Sequence, residues 1–333
     1  MGRVHVVAAP DKFKGTASAR EIAAAVCRAA GAAGHSCDPV PVADGGEGFL
    51  DALGGPNRTT TVTGPLGDPV EAEWRLDRGQ AVIEMARASG LALVGGAEGN
   101  DALAASTYGT GELISAALEA GARRVLVGVG GSATTDGGLG ALRAIHPVER
   151  LRGVELVVAC DVSTTFVDAA EVFAPQKGAS PAQVALLRRR LERLAETYRR
   201  DYGVDVTAIP GSGAAGGLAG GLAAVGATLV SGFDLVAEEV RLDERMAGAG
   251  LAVTGEGFVD EESFHGKVVG GVTALAAGLG VPVLVVAGEV FDAVPPTVAA
   301  ISLVERFGRD VALTDPVGCV ETAVGEWLRG LAR

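Results

Sequence analysis

Short apolar runs alternate with amphipathic stretches along most of the chain. Residues 4–9 form an apolar run ending in Pro10-Asp11, after which Ser18 opens a helical spacing through Ile22, Val26 and Ala30 toward Gly34. Strand, loop and helix follow in that order. A second run, 39–43, leads into Asp44-Gly45-Gly46-Glu47-Gly48 and a helix through Leu53. Between residues 58 and 93 the texture changes: 59–63, 70–76 and 81–85 read as strands, separated by Gly64-Pro65-Leu66-Gly67 and Asp77-Arg78-Gly79, which predicts antiparallel pairing. Alternation then resumes. Helices are predicted over 109–120, 135–145, 182–200 and 217–225, after Gly266 and at the end of the chain. Strands are predicted over 125–129, 154–160, 251–254, 281–287 and 299–304. In 182–200, Val184, Leu187, Leu191 and Leu194 share one face, and the arginines opposite read as a solvated surface.

Alternation at both ends around a middle of different texture predicts an α/β protein of two domains. Residues 1–55 and 225–333 would form a discontinuous parallel-sheet, flavodoxin-like domain, and 56–224 a second α/β domain inserted into it. A length of 333 residues agrees, since single cores rarely grow beyond about 250–300 residues.

Composition narrows the function. Hydrophobic residues at 48% and charged residues at 21% are ordinary globular usage. A net charge of −13 with only 4% aromatics argues against a nucleic-acid platform. No apolar run approaches the roughly 18 residues of a membrane span, so no membrane partner is expected and the cytoplasm is the expected compartment. The four cysteines, Cys27, Cys37, Cys160 and Cys319, show no CxxC spacing and read as buried reduced thiols. His5, His35, His146 and His265 show no metal spacing.

The chain holds only four lysines, Lys12, Lys14, Lys177 and Lys267, so its cations are arginine by habit. A compact ammonium differs from a guanidinium in how it meets phosphate oxygens, which marks these lysines as candidates for chemistry. The strongest anion signal is 128–138, Gly-Val-Gly-Gly-Ser-Ala-Thr-Thr-Asp-Gly-Gly, after a strand and before a helix. Its glycines admit an anion to the backbone, and Ser132 and Thr134 add hydroxyls. Residues 128–133 and 211–216 also fit dinucleotide patterns. With 50 glycines about one chance match is expected, and Asp161 falls later than that fingerprint wants. A Walker A loop is absent, because Val268 follows Lys267. Asp11, Asp44, Glu47, Asp136, Asp161, Glu256 and Asp260 all lie at or just after predicted strand ends, where open α/β sheets bind ligands. Each could instead cap a helix or turn. Together, glycine loops, lysines and carboxylates are what phosphoryl transfer requires.

Eight segments in order resemble the motifs of bacterial glycerate kinases: Ala9-Pro10-Asp11-Lys12-Phe13-Lys14-Gly15, then 42–48, 84–91, 109–114, 130–138, 175–179, 211–217 and Thr254-Gly255-Glu256-Gly257. The resemblance covers nearly the whole chain and implies ATP- and Mg2+-dependent phosphorylation of glycerate, generally at its 2-hydroxyl, to give 2-phosphoglycerate. Lys14, Lys177 and Lys267 stand where the family also carries lysine. Lys14, Asp44, Asp161 and Glu256 are then the expected catalytic residues, and Gly130, Gly131, Ser132, Asp136, Lys177 and Gly213 the expected nucleotide contacts. Asp136 and Asp161 are expected to hold Mg2+, and Glu47, Arg87, Phe258, Asp260 and Lys267 to meet the hydroxy acid. A homodimer is compatible with this reading. The chain departs from the family at Thr135, at Thr164-Thr165, at Phe258 where an arginine is usual, and at Glu262-Ser263. Those departures keep open another hydroxylated acceptor, or a catalytically reduced nucleotide-binding member.

Overall fold

The structure is a computed structural model describing residues 3–264, 267–291, 294–295 and 298–331; His265 and the side chain of Glu262 lie outside the described residues. Along the chain its strands are β1 (His5–Ala8), β2 (Ser36–Pro39), β3 (Arg58–Thr63), β4 (Pro69–Asp77), β5 (Gln80–Glu84), β6 (Arg124–Gly128), β7 (Glu155–Ala159), β8 (Thr228–Val230), β9 (Leu251–Thr254), β10 (Phe258–Val259), β11 (Val283–Ala287), β12 (Glu289–Val290) and β13 (Ala299–Ser302). Two compact units emerge: residues up to 44, 51–53 and from 233 onward in one, and residues 45–50 and 54–232 in the other.

The first unit is built on a five-stranded parallel sheet of order β13-β11-β9-β1-β2. Counted along this sheet alone, the order is 2-1-3-4-5, that of a flavodoxin-like sheet. Val6, Val7, Val253, Leu284, Val285 and Val286 are all buried, which is why these strands read as continuous apolar runs rather than alternating ones. The helices Ala19–Ala32 and Pro316–Leu331 supply Ile22, Val26, Val320, Val324 and Leu328 to the same core. Ser18 caps the first of them as predicted, in a reciprocal capping box with Glu21.

Two readings change here. The strand expected over 39–43 lies instead at β2, Ser36–Pro39; beyond it Pro41 has no N–H, and the amides of Val40 and Val42 donate to the carbonyls of Ala8 and Pro10 at 2.7 and 3.1 Å. The cysteines also divide: Cys27 and Cys37 form a disulfide, while Cys160 and Cys319 are free. The crossover from β1 through the helix to β2 brings the Cα atoms of Cys27 and Cys37 to 5.1 Å, a juxtaposition that their spacing in sequence does not reveal.

The second unit contains a six-stranded sheet in sequential order, β3 to β8, antiparallel from β3 to β5 and parallel from β5 to β8. The helices Tyr108–Glu119 and Leu139–Ile145, with Pro181–Tyr202, contribute Leu113, Ile114, Leu142, Leu187 and Leu191 to its core. The helix expected from 135 starts at Leu139, because Gly137 and Gly138 take positive φ (+66° and +78°) and prolong the loop. Among the described residues no helix is long and apolar enough to cross a membrane.

Candidate functional site

In the first unit the strand order turns between β1 and β9. Loops leaving neighbouring strands diverge at such a point and open a crevice at the strand C-termini. Asp11 follows β1, Asp44 follows β2 and Glu256 follows β9, so three carboxylates predicted from separate motifs gather at one end of one sheet. Asp11 is only 6% exposed; its amide donates to the Gly255 carbonyl at 2.8 Å, and its Oδ1 accepts from the Lys12 amide at 2.7 Å. Burial, aided by the charges of Asp44 and Glu256 and opposed by Lys12, pushes the Asp11 carboxyl up to about 7. Burial also raises Glu256, with Asp44 and Asp260 acting in the same direction and Ser263 and Lys267 opposing. Glu256 Oε1 is buried without a hydrogen-bond partner among the described residues.

Lys14 stands exposed in the same loop, which is anchored by buried Phe13 through amide contacts with Ala17. Close packing explains the glycines opposite: a Cβ on Gly255 would come within 1.8 Å of the Val286 carbonyl oxygen, and one on Gly257 within 3.2 Å of the Lys14 nitrogen. Asp260 Oδ1 accepts from the amide and hydroxyl of Ser263, at 2.9 and 3.1 Å, and so caps its own turn. Phe258 is 44% exposed and stacks on Phe291, 59% exposed, with ring centroids 5.8 Å apart. Asp11 was visible in the sequence as one loop carboxylate of seven. Nothing there singled it out, because its burial is a property of the assembled sheet.

In the second unit the 130–136 loop leaves β6. Gly130 lies so close to Gly46 that a Cβ would come within 2.3 Å of its Cα, and Gly131 takes φ +72°. Lys177 is 2% exposed, with Nζ 2.8 Å from Ser132 Oγ and 2.6 Å from the Thr134 carbonyl oxygen. Burial brings this ammonium down to about 7, with the charge of Asp136 opposing. Gly213 packs on Thr165, where a Cβ would meet the carbonyl oxygen at 2.3 Å. Gly130 and Ser132, both named from the sequence, thus belong to one tightly held loop, and Lys177 of the 175–177 turn packs against it.

The remaining residues have their own engagements. Asp136 accepts from the Thr107 amide and hydroxyl, both at 2.9 Å, and from the amides of Gly138 and Gly140 at 3.0 and 3.1 Å. It therefore ties the start of the helix Leu139–Ile145 to the start of Tyr108–Glu119. Asp161 Oδ1 accepts from the Gly232 amide at 2.7 Å. Arg87 pairs with Glu73 at 3.1 Å and lies 3.8 Å from buried Glu84, whose other oxygen receives the amides of Gly48 and Leu50. Glu47 is exposed in the segment held by that carboxylate.

A flavodoxin-like sheet with buried Asp11 beside two further carboxylates at its switch point, and a second, mixed sheet whose glycine loop rests on a buried lysine, fit the class of α/β phosphotransferases acting on a hydroxyl. Similarity to known proteins narrows that class. The family model described as Glycerate kinase family matches residues 6–148 and 146–307. A "Glycerate 2-kinase" of Escherichia coli (strain K12) is 40% identical over 327 residues, covering 86% of each chain. A "Glycerate kinase" of Halalkalibacterium halodurans is 40% identical over 326 residues, covering 85% of each. A crystal structure described as putative glycerate kinase 2 from Salmonella typhimurium LT2 superposes with a TM-score of 0.85 at 33% identity, over 99% of both chains. The chain belongs to the glycerate kinase family.

Proposed function

We propose that the protein transfers the γ-phosphoryl group of ATP to the 2-hydroxyl of glycerate, giving 2-phosphoglycerate and ADP. The observation that carries this reading is the Asp11–Asp44–Glu256 cluster at the switch point. Its burial and mutual repulsion raise Asp11 to about 7, into the range where a carboxylate takes a proton from an attacking alcohol effectively. As the hydroxyl oxygen forms its bond to the γ-phosphorus, the bond from γ-phosphorus to the bridging oxygen breaks. ADP departs, and the alcohol proton passes to a carboxylate of this cluster. Lys14, exposed at the loop tip, neutralises a transferring phosphoryl oxygen or the glycerate carboxylate. Asp260 and Lys267 complete the acceptor side.

The phosphates of ATP rest on the 130–136 loop, where Gly130 and Gly131 expose backbone and Ser132 and Lys177 lie together beneath. Mg2+ fits the oxygen donors present. Among the described residues no three His, Cys, Asp or Glu side chains form a complete cage, and this ion commonly takes one or two carboxylates with phosphates and water. Asp136 and Asp161 are its proposed ligands, each already held by backbone amides, those of Gly138 and Gly140 and that of Gly232. When bound, the ion offsets charge on the β- and γ-phosphates. Gly213 is assigned to the nucleotide side, and Glu47 and Arg87 to the acceptor side.

An ADP-release assay across a panel of hydroxy acids and polyols, with the phosphorylated position read by NMR, tests the reading. Glycerate turning over fastest and giving the 2-phosphate is the expected outcome. A different preferred acceptor would overturn the assignment of substrate, and binding of ATP without turnover on any acceptor would overturn the assignment of activity. The exposed Phe258–Phe291 stack, at a position where the family resemblance implies an arginine, favours one second reading: an acceptor larger and less acidic than glycerate.

A further inference from the structure

The arginines of the helix Pro181–Tyr202 form a largely exposed face, as expected, but differ in their partners. Arg188 pairs with Asp168, Glu171 and Glu192, Arg199 with Asp205, and Arg200 with Asp201. Arg190 and Arg193 instead line a pocket of about 510 Å3 within the second unit, together with Arg143 of the helix Leu139–Ile145. Arg190 donates to the Leu103 carbonyl at 2.9 Å. The guanidinium groups of Arg143 and Arg193 make no hydrogen bond or ion pair among the described residues. Asp136 is the one carboxylate on the wall, and its oxygens are occupied by Thr107, Gly138 and Gly140. Thr135 also lines the pocket, and its hydroxyl oxygen is buried without a hydrogen-bond partner. Leu139, Leu191 and Leu194 add an apolar surface.

In a chain of net charge −13, three cations around a concavity with one saturated carboxylate form a local reversal of sign. Guanidinium forks match phosphate oxygens, an orphaned buried hydroxyl adds a directional contact, and the leucines suit an organic body. The volume is that of a small-molecule site. We propose that this pocket binds a phosphorylated small organic molecule at a site separate from the reacting substrates. The pocket adjoins the loop offered above for the ATP phosphates and shares Thr135 and Asp136 with it, but Gly130, Gly131, Ser132 and Lys177 lie outside its lining, and its cations come from two helices.

The test is calorimetric titration of the full chain with AMP, glucose 6-phosphate and inorganic phosphate, in the presence of a saturating non-hydrolysable ATP analogue. At least one of the two phosphate esters is expected to bind under these conditions, more tightly than inorganic phosphate. Its Kd should rise at least tenfold in Arg143→Ala/Arg193→Ala, rise less in Arg193→Lys, and stay within twofold in the control Arg199→Ala/Arg200→Ala. KM for ATP and kcat should stay within twofold in the pocket variant, which also shows that it folds. Binding of neither ester, or a Kd indifferent to the two pocket arginines, would overturn the site. Loss of ester binding only when the ATP analogue is present would assign the pocket to the nucleotide and overturn its separateness. A preference for inorganic phosphate would overturn the organic ligand.

Discussion

Asp11 draws its chemistry from its surroundings. Its carboxyl ionises at about 7 in the fold against an ordinary value of 3.8, so the folded chain holds this proton more tightly than the unfolded one. Its contribution to stability is therefore full below about pH 4 and is lost as pH rises through about 7, by on the order of 4 kcal/mol. Asp11→Asn should flatten the fall in stability between about pH 4 and 7 measured by urea unfolding. It should also lower kcat at least about 100-fold with KM for ATP little changed, the scale expected when a general base is removed. A variant with normal kcat would remove Asp11 from the chemistry. Lys14 is exposed at its loop tip, so Lys14→Arg should fold normally yet lose at least tenfold in turnover, roughly 1.4 kcal/mol of barrier. A near-normal rate would exclude a role for the ammonium. Phe258 tests the acceptor. If it replaces a cation that holds the glycerate carboxylate, Phe258→Arg should raise kcat/KM for glycerate about ten- to a hundredfold, since a charge-assisted hydrogen bond contributes roughly 1.5–3 kcal/mol. High efficiency in the unaltered enzyme with no gain from arginine would leave glycerate as the acceptor and discard the larger-acceptor reading.

At the scale of elements, the loop after β6 depends on backbone shape more than on side chains. Gly131 sits at φ +72°, where any other residue is strained, and a Cβ there would lie 3.3 Å from that of Ala86. Gly131→Leu should cost about 1–2 kcal/mol of stability from backbone strain. It should also weaken binding of an ATP analogue, read by titration at a temperature where the variant remains folded. Unchanged affinity would move the phosphates elsewhere. The same loop shows the limit of pattern reading. Its strand, its glycines and the candidacy of Lys177 were legible in sequence, but the helix begins at Leu139 rather than at 135, because two successive glycines adopt positive φ.

Each unit of the molecule has its own buried cluster, one around Val6, Ile22 and Leu284 and another around Val127, Leu113 and Leu187. Each core is large enough to unfold cooperatively by itself, so calorimetry should resolve two thermal transitions. An ATP analogue at about 100 times its Kd should stabilise the unit carrying the 130–136 loop by about 2.7 kcal/mol. A shift confined to the other transition, identified by proteolysis of the partly unfolded protein, would contradict placing the phosphates there.

Local and periodic features of this protein are written in the chain: the capped helix after Ser18, the hairpin texture of β3 to β5, the apolar strands of both sheets and the loops carrying carboxylate and lysine. These follow from propensity, spacing and turn chemistry within a dozen or so residues. Features that depend on distance between remote segments came only with the folded chain. Folding joined Cys27 to Cys37, buried Asp11 beside Asp44 and Glu256, and committed Asp136 to Thr107 and the start of a helix. It also set two exposed arginines of one helix beside Arg143 of another, around one pocket. Burial and electrostatic coupling act through space, so residues far apart in the chain acquire their chemistry only when the sheets bring their loops together.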